Sequence, residues 1–365
     1  MTRILLGQLG SYGDCLYATA VARQIKQDYP GCHLTWGIGS IYANILINNP
    51  HVDSVWEYPL KHRDEQVTKW EEFKAEALRR KAAGEFDEVF FTQVFPGGFA
   101  HHDGNLRSGI YMGYPNPITV PKTPVVVLTD DEVANATRFV EERNIQRYKH
   151  VILFETSPQS GQSSVDPVFA MLAAIHITLL VPDSCVILSG KGAQNFLPPN
   201  VFDASGLTYR ENAELINYCD LLIGCSSGIS WLSLSSWCKK INTIQILEPD
   251  YHMHVSIVND HIEHGLNPDH IIELTTKDYF VLEQCVQYIF NHSFAEAREK
   301  YHTPAKIDLG AFYVVMIGEA LKHHNPVEVM KCFTLTTKRW GFRPEWLLTA
   351  GKYGIKRIGQ RLSVC

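Results

Sequence analysis

Arg3-Ile-Leu-Leu-Gly-Gln-Leu-Gly-Ser-Tyr-Gly-Asp14 is the stretch that decides the predicted fold. It reads as a short apolar strand that ends in a turn with glycines, and a helix with an apolar face follows over Cys15–Asp28. Gly10 and Gly13 permit backbone conformations and close approaches that a Cβ would block. Such a turn leaves N–H groups at the start of a helix, where negative charge is favoured.

Asp14 stands at that helix start, and two interpretations are open for it. Aspartate is a common N-cap residue, which is the purely structural interpretation. The alternative is a reactive base at the mouth of an open sheet, where α/β proteins bind their ligands. The other motifs of the chain favour the second interpretation.

The composition predicts a globular protein of two domains. The chain has 365 residues, of which 45% are hydrophobic and 20% charged. A formal net charge of −6 argues against a dedicated nucleic-acid binder. No apolar run approaches the ~20 residues of a membrane span, and Gly7 and Gln8 interrupt the first apolar run, unlike a signal peptide. The nine cysteines form no CxxC pair, which predicts reduced thiols and a cytoplasmic location.

Strand-like and helix-like segments alternate in both halves, which predicts βαβ units and parallel sheets. We therefore expect an α/β protein with two Rossmann-like domains that face a central cleft. The expected domains are 1–146, 147–300 and a helical basic segment, 301–365, that packs back on the first domain. The polar run Asn144–Lys149 is the expected linker. The predicted strands are Arg3–Gln8, His33–Ile38, Ser54–Tyr58, Glu88–Gln93, His150–Glu155, Ser184–Ser189, Val201–Ala204, Leu221–Gly224 and Asn242–Leu247.

The stretch 331–361 is strongly basic, with Glu345 as its one acidic residue. One interpretation is a helical segment that packs on the first domain with solvated cations. The other is a peripheral contact with an anionic membrane at its cytoplasmic face, or with an anionic acceptor. The basic residues are Lys331, Lys338, Arg339, Arg343, Lys352, Lys356, Arg357 and Arg361, and Trp340, Phe342, Trp346 and Leu347 lie between them.

A second small-residue turn lies between the predicted strand Leu221–Gly224 and a helix that begins near Ile229. Its residues are Ser226, Ser227 and Gly228. We expect the backbone N–H groups of Ser227–Ile229 and the neighbouring hydroxyls to hold a diphosphate without a metal ion. Taken alone, the motif fits an ordinary serine N-cap equally well.

Two more polar loops follow strands of the same half. Because the carboxyl ends of parallel strands meet at one edge, we expect these loops to join the serine turn in one crevice. Hydroxyls and amides at that density suit a phosphorylated or polyhydroxylated ligand, although a polar loop has the same composition. The candidate residues are Thr156, Ser157, Ser160 and Gln162 in one loop and Lys191 and Gln194 in the other.

In the first half, Asp14 and the loop Gln93–Asn105 are expected to meet in the same way. The candidate acceptor-binding residues are Gly10, Ser11, Tyr12, Gly13, His101 and His102. No Asp-x-Asp occurs, and His252, His254, His261 and His264 lack the spacing of a zinc site. We therefore expect neither a metal nor a cofactor.

The glycine turn before Asp14, paired with the late Ser226-Ser227-Gly228-Ile229-Ser230-Trp231 turn, resembles the heptosyltransferase-like glycosyltransferases of family 9, which have the GT-B fold. The resemblance spans roughly residues 1–300. It implies metal-independent, inverting transfer from a nucleotide-diphosphate sugar that the second domain binds. It also implies that Asp14 is the general base and that the late turn is the counterpart of the family's Asp-Thr-Gly-Leu-Ser-His motif.

Four positions depart from the family pattern. The motif's Asp and His are Ser226 and Trp231 here, and the family's ribose-binding glutamate is Gln194. Its phosphate-binding lysine has no counterpart after Thr156-Ser157, where Gly161-Gln162 stands. The phosphate turn survives these changes, but a heptose donor does not follow.

The resulting hypothesis is a hexosyl- or heptosyltransferase that builds a cell-surface glycan or a lipid-linked acceptor, as in polysaccharide or lipopolysaccharide biosynthesis. Two alternatives stay open. One is a sugar-nucleotide epimerase or hydrolase of the same fold, because a fold does not fix the chemistry. The other is a non-catalytic protein that binds a glycan or a nucleotide.

Overall fold

The computed structural model describes residues 1–95, 98–158, 161–190, 197–248, 256–276, 278–310, 312–314, 317 and 326–362, apart from the side chains of 99, 353 and 357–362. The chain forms two compact units. The first combines Met1–Lys122 with the C-terminal residues from Lys306 on, and the second is formed by the described residues from Thr123 to Ala305. Each unit contains one parallel sheet.

The sheet of the first unit has the strand order β3-β2-β1-β4. Leu5 on β1 pairs with Thr35 on β2 and with Val89 on β4. Its strands are β1 (Arg3–Gly7), β2 (His33–Gly39), β3 (Ser54–Tyr58) and β4 (Glu88–Phe91). Its first helices are α1 (Tyr12–Asp28), α2 (Gln66–Ala82) and α3 (Leu106–Met112), with 3-10 turns at Ser40–Leu46, Arg63–Glu65 and Phe99–His101.

The sheet of the second unit has the order β10-β9-β8-β5-β6-β7. Successive residues of β5 enter different cores, since Ile152 and Phe154 pack in one cluster and Val151 and Leu153 in the other. Apolar residues on both faces are typical of a parallel strand that is buried on both sides. The strands are β5 (His150–Glu155), β6 (Ser184–Ser189), β7 (Val201–Asp203), β8 (Leu221–Gly224), β9 (Asn242–Leu247) and β10 (Ile271–Thr275).

Helices of the second unit lie between and after these strands. They are α4 (Asp130–Glu142), α5 (Pro167–Leu180), α6 (Glu211–Asn217), α7 (Gly228–Leu232), α8 (Ile257–Glu263), α9 (Tyr279–Asn291) and α10 (Phe294–Tyr301). The start of α4 follows from a capping box. Thr129 N–H donates to Glu132 Oε2 at 2.8 Å, and Glu132 N–H donates to Thr129 Oγ1 at 3.2 Å.

The division between the units follows Lys122, whereas we expected it after residue 146. The physical reason is a buried ion pair that attaches α4 to the second unit. Arg210, 1% exposed, donates from Nε to Glu132 Oε1 at 2.7 Å and from a terminal nitrogen to the Val127 carbonyl at 2.6 Å. The expected linker lies inside this unit, where Ile145 is fully buried.

The C-terminal helix pair, Pro326–Trp340 and Pro344–Leu362, belongs to the first unit. Cys332 Sγ donates to the His102 carbonyl at 3.1 Å, and Trp340 Nε1 donates to the Asp103 carbonyl at 2.8 Å. Leu309, Phe312, Tyr313, Cys332 and Trp346 form a core of their own. The segment therefore packs against the loop that precedes α3.

Two expectations from the composition can be compared with the described residues: the lack of a membrane span and the reduced cysteines. No described helix combines the length and the apolarity that a membrane span requires. The described cysteines are all free thiols, and all of them except Cys238 are buried. Burial raises the pKa of Cys219 and of Cys225, which keeps both thiols protonated.

Candidate ligand sites at the two sheet switch points

In each sheet the direction of strand addition reverses at one place. The second sheet grows one way through β5, β6 and β7 and the other way through β8, β9 and β10, so the reversal lies between β5 and β8. In the first sheet it lies between β1 and β4. Ligands of open α/β sheets bind beyond the carboxyl ends of the strands at such a switch point. The turns after β1 and after β8 both stand there.

Two buried glutamines hold the turn after β1. Gln93 Oε1 accepts from the Leu9 N–H at 2.8 Å, and Gln93 Nε2 donates to the Gly10 carbonyl at 2.9 Å. Gln8 Nε2 donates to the same carbonyl at 2.8 Å. These bonds satisfy backbone groups of the turn that take no part in the hydrogen bonding of β1 or α1. They therefore hold the turn that precedes α1. Sequence reasoning missed the role of both glutamines, although each is the last residue of a predicted strand.

Gly10 lies against the ring of Tyr42. A Cβ at Gly10 would overlap that ring, so only glycine fits at this position. The ring of Tyr12 meets Tyr42 edge-on, with 5.0 Å between centroids, and the Tyr12 hydroxyl donates to the Ile41 carbonyl at 3.0 Å. Tyr12 and Tyr42 thus form an aromatic wall beside the glycine turn.

Asp14 is the third residue of α1, and Ser11 is the N-cap. Ser11 N–H donates to Asp14 Oδ2 at 3.2 Å, so the carboxylate supports the helix start without being its cap. Burial raises the pKa of Asp14 to about 6, against the opposing effects of the Ser11 N–H and the positive charge of Arg63. A carboxylate with this pKa is mostly ionised at pH 7 and is still basic enough to accept a proton.

The two candidate histidines are in different environments. His102 is 3% exposed, its Nδ1 accepts from the Gly104 N–H at 2.9 Å, and its ring packs on Phe312 with 4.5 Å between centroids. This enclosure by the C-terminal segment does not fit the predicted acceptor role of His102. His101 lies at the surface, and its pKa is lowered by partial burial and by Lys331. Of the pair, only His101 is accessible to a ligand.

Glu155, at the end of β5, is the centre of the second site. Its carboxylate is 3% exposed. Oε2 accepts from the Cys225 N–H at 2.9 Å and from Ser230 Oγ at 2.6 Å, and Oε1 accepts from the Ile229 N–H at 2.8 Å. One carboxylate therefore connects both ends of the turn after β8. Sequence reasoning placed Glu155 at the end of a predicted strand and did not recognise this role.

This arrangement corrects the expected diphosphate contacts. The Ile229 N–H was expected to face the ligand, but it donates to Glu155. Within the described ranges, no acceptor is bonded to the N–H of Ser227 or of Gly228. Both groups lie at the start of α7, where an anion is favoured. The backbone N–H groups that this turn leaves for a ligand are thus those of two residues.

Ser226 is held in an uncommon backbone conformation. Its φ is 56°, in the left-handed region, and the residue is 1% exposed. Its carbonyl accepts from Gln162 Nε2 at 2.5 Å, while the Gln162 carbonyl accepts from the Glu248 N–H at 2.9 Å. Non-glycine residues fixed in this region are concentrated at functional sites. Through these two hydrogen bonds Gln162, in the loop after β5, supports the turn after β8.

The loops after β5 and β6 meet beside this turn. Thr156 N–H donates to the Ser189 carbonyl at 2.8 Å, and Ser189 Oγ donates to Asn212 Oδ1 at 2.6 Å. A Cβ at Gly190 would overlap the hydroxyls of Thr156 and Ser157. The structure thus brings Thr156, Ser157, Gln162 and Ser226–Gly228 together, whereas Ser160, Lys191 and Gln194 lie outside the described residues.

Tyr209 is a further residue of this site that the sequence did not indicate. Its hydroxyl donates to the Gly228 carbonyl at 2.8 Å. A Cβ at Gly228 would stand 2.8 Å from Tyr209 Cε2. The side of the turn is therefore closed by a tyrosine ring.

Metal-ligating side chains do not gather in the described part of the chain. No group of three or more His, Cys, Asp or Glu residues there could hold a metal ion. His261 and His264 each lie 3.8 Å from a carboxylate oxygen of Asp260 on α8. His252 and His254 lie outside the described residues.

The comparisons with known proteins gave structural matches. No protein-family model and no curated protein matches the sequence. A family 9 glycosyl transferase from Veillonella parvula superposes with a TM-score of 0.57 at 14% identity, over 82% of this chain and 96% of its own. This chain has the GT-B fold. ADP-heptose LPS heptosyltransferase II of E. coli gives a TM-score of 0.50 at 13% identity, over 81% and 99%.

The GT-B fold is not confined to those two matches. A Listeria monocytogenes protein assigned as a UDP-N-acetylglucosamine 2-epimerase superposes with a TM-score of 0.51 at 10% identity, over 88% of this chain and 97% of its own. At such identities the likeness shows the fold, and the chemistry has to be argued from the two sites. The predicted GT-B architecture of two α/β units is confirmed.

Proposed function

We propose that this protein is a glycosyltransferase that moves a sugar from a nucleotide-diphosphate sugar to an acceptor hydroxyl. The observation that carries the proposal is Asp14, a partly buried carboxylate at the switch point of the first sheet whose pKa is raised to about 6. General bases are most effective when their pKa lies near the working pH. Gly10, Ser11, Tyr12, Gly13 and His101 are the proposed acceptor-binding residues.

In the proposed reaction Asp14 accepts the proton of the acceptor hydroxyl while that oxygen attacks the anomeric carbon. The new C–O bond forms as the bond from that carbon to the diphosphate breaks. The electron pair leaves with the nucleoside diphosphate, and the anomeric configuration inverts. The proton resides on Asp14 and returns to solvent after the products leave.

The second unit is proposed to bind the donor. The N–H groups of Ser227 and Gly228 donate to diphosphate oxygens at the start of α7, where the helix favours the developing negative charge. The Ser157 hydroxyl lies at the neighbouring strand end and is a further proposed contact, whereas the Thr156 hydroxyl donates to the Ser189 carbonyl at 3.3 Å and holds the loop beside it. Ser160, Lys191 and Gln194 remain donor-binding candidates from the sequence. The sequence supplies no Asp-x-Asp, so we propose that these groups act without a metal ion.

The donor and acceptor are proposed only as classes. Ser226 and Trp231 replace two residues of the family's diphosphate motif, and so the ADP-heptose named for the E. coli enzyme does not transfer to this chain. A hexose or heptose donor and a cell-surface glycan or glycolipid acceptor, made on the cytoplasmic side of a membrane, fit the proposal.

A second candidate is an epimerase or hydrolase that acts on the nucleotide-sugar itself. The fold shared with the Listeria protein favours it. The products separate the candidates, because a transferase leaves the sugar on an acceptor and an epimerase leaves it on the nucleotide. A protein that only binds would form neither product.

The test is a panel of nucleoside diphosphates and nucleotide-sugars screened by thermal shift. Specific binding to the native state raises stability by RT ln(1 + [L]/Kd), so a ligand at ~100 Kd adds about 2.7 kcal/mol. We expect one nucleotide class to stabilise the protein, and Asp14→Asn to bind it equally well. No stabilisation by any member of the panel would contradict the proposal.

A further inference from the structure

The C-terminal helix pair carries apolar residues on two opposite faces. The inner face is packed, since Trp346 is 3% exposed and its Nε1 donates to the Ile307 carbonyl at 3.2 Å. The last helix nevertheless has large apolar side chains in solvent. Leu347, Leu348 and Ile355 are 49%, 69% and 73% exposed.

Helical spacing sets these residues on one outer face. At about 100° per residue, Leu348 and Ile355 point within about 20° of each other, and Leu347 lies beside them. Trp346 and Ala350 fall on the far side, where they pack in the C-terminal core. A helix that buries one apolar face in its own protein needs no second one, so an exposed apolar stripe indicates a surface that something else covers.

Basic residues border this stripe. Lys352 and Lys356 are exposed on the last helix, and Phe342, 61% exposed, precedes exposed Arg343 in the connection between the helices. On the outer face of the other helix, Met330 is 70% exposed. Residues 326–362 contain eight Lys or Arg and two Glu, while the whole chain has a net charge of −6. Arg339 among them is ion-paired with Asp103, and the exposed basic residues with described side chains are Lys331, Lys338, Arg343, Lys352 and Lys356. Positive charge therefore lies beside the exposed apolar residues.

We propose that the outer face of the C-terminal helix pair docks on a lipid bilayer with anionic headgroups. Leucine, isoleucine and phenylalanine side chains enter the boundary between headgroups and acyl chains, and the lysines and arginines pair with lipid phosphates. A second copy of this surface fits less well, because it would bring two strongly basic patches together. The proposal goes beyond the proposed function and needs no catalytic turnover.

The experiment is flotation of the full chain with vesicles. One set is pure phosphatidylcholine, and the other contains one quarter phosphatidylglycerol. The variants are Leu348→Ser with Ile355→Ser, which removes the stripe, and Lys352→Gln with Lys356→Gln, which removes charge. The matched controls are Leu179→Ser, at an apolar residue 77% exposed on α5, and Lys239→Gln with Lys240→Gln, at exposed lysines of the second unit.

We expect binding to the anionic vesicles alone, with loss at high salt. The lysine variant should bind roughly thirty-fold more weakly, because each basic residue near an anionic surface contributes about 1 kcal/mol. The apolar variant should lose at least about tenfold. Both controls should float like the parent.

Three outcomes would overturn the proposal. The parent fails to float with anionic vesicles, the outer-face variants bind as the parent does, or the control lysines weaken binding equally. Sedimentation of the same proteins without lipid tests a fourth outcome. If the parent is a dimer and the variant Leu348→Ser with Ile355→Ser is a monomer, this face binds a second copy of the chain instead of a membrane. Circular dichroism confirms that each variant is folded.

Discussion

Glu155 Oε1 accepts a hydrogen bond from the Ile229 N–H at 2.8 Å, across the switch point of the second sheet. A carboxylate from the end of β5 thus occupies a helix-start N–H that the sequence suggested would face a diphosphate. The same carboxylate also accepts from the Cys225 N–H at 2.9 Å. The proposed phosphate-binding turn is therefore held in place by the carboxylate of Glu155, a residue of the same unit.

Glu155→Gln should weaken both the fold and nucleotide binding. A glutamine amide has one acceptor oxygen, so its NH2 group would face a backbone N–H that donates to the carboxylate in the parent. Loss of a buried charge-assisted bond is expected to lower the free energy of unfolding by about 1–3 kcal/mol. We expect the Kd for the nucleoside diphosphate to rise by about tenfold, measured by calorimetry beside urea unfolding.

Glu211→Gln is the matched control for this variant. Glu211 is also buried in the second unit, where Oε2 accepts from the Thr208 N–H at 2.6 Å and Oε1 from Asn135 Nδ2 at 2.9 Å. Its replacement should lower stability and leave the Kd unchanged. Equal weakening of nucleotide binding by both variants would show that Glu155 acts through general stability alone.

Gly228→Ala should disturb the phosphate turn, because the new Cβ would meet the Tyr209 ring at 2.8 Å. The ring or the turn must then shift, and we expect nucleotide affinity to fall several-fold, with a larger loss for Gly228→Val. Gly206→Ala is the control, since nothing lies within 4 Å of its added Cβ. Calorimetry that gives parent-like affinity for Gly228→Val would mean that the diphosphate binds elsewhere.

The strands were largely predictable, whereas the contacts that build the sites were not. β3, β5, β6, β8 and β9 have the bounds that the apolar runs predicted. The runs of β5, β6 and β8 are continuous because these parallel strands are buried on both faces. β1, β2, β4 and β7 differ from the predicted bounds by one or two residues, and α1 begins at Tyr12 rather than at Cys15 because Ser11 caps it. β10 was missed.

Contacts between distant parts of the chain explain the other differences. His102 follows a strand and looked accessible, but Cys332 Sγ donates to its carbonyl from 230 residues away. Glu155 and Ile229 are 74 residues apart, so no local pattern shows their bond. Gln8 and Gln93 become partners only when β1 and β4 pair. Local sequence patterns indicate elements and turns, whereas such pairings require the strand order.

Asp14→Asn should stabilise the protein at neutral pH. The pKa of Asp14 in the folded protein is about 6, above its ordinary 3.8, so the native state holds the proton more tightly. The contribution of protonated Asp14 to the free energy of unfolding is fully present below about pH 4 and is lost as the pH rises to about 6. The variant should therefore be about 1–3 kcal/mol more stable than the parent at pH 8 and equal to it at pH 4. Unfolding curves with a constant difference between those pH values would contradict this.

Activity should survive excess EDTA. The proposed donor site offers N–H groups and hydroxyls, while Mg²⁺ prefers carboxylate and phosphate oxygens in octahedral geometry. A helix start can supply part of the charge stabilisation that a metal would otherwise give. A metal-dependent glycosyltransferase in the same buffer serves as the control. Complete loss of turnover on chelation, restored by Mg²⁺ or Mn²⁺, would rule out metal-independent transfer.

The most direct test of the central claim is the release of nucleoside diphosphate from a panel of nucleotide-sugars, with and without a glycolipid extract. We predict that one donor releases its diphosphate only when acceptor is present, and that the sugar appears on the acceptor by mass spectrometry. Asp14→Asn should lower kcat by roughly two to four orders of magnitude with little change in donor binding. A folded Asp14→Asn protein with parent-like turnover, or a parent that releases diphosphate from no donor, would contradict the account.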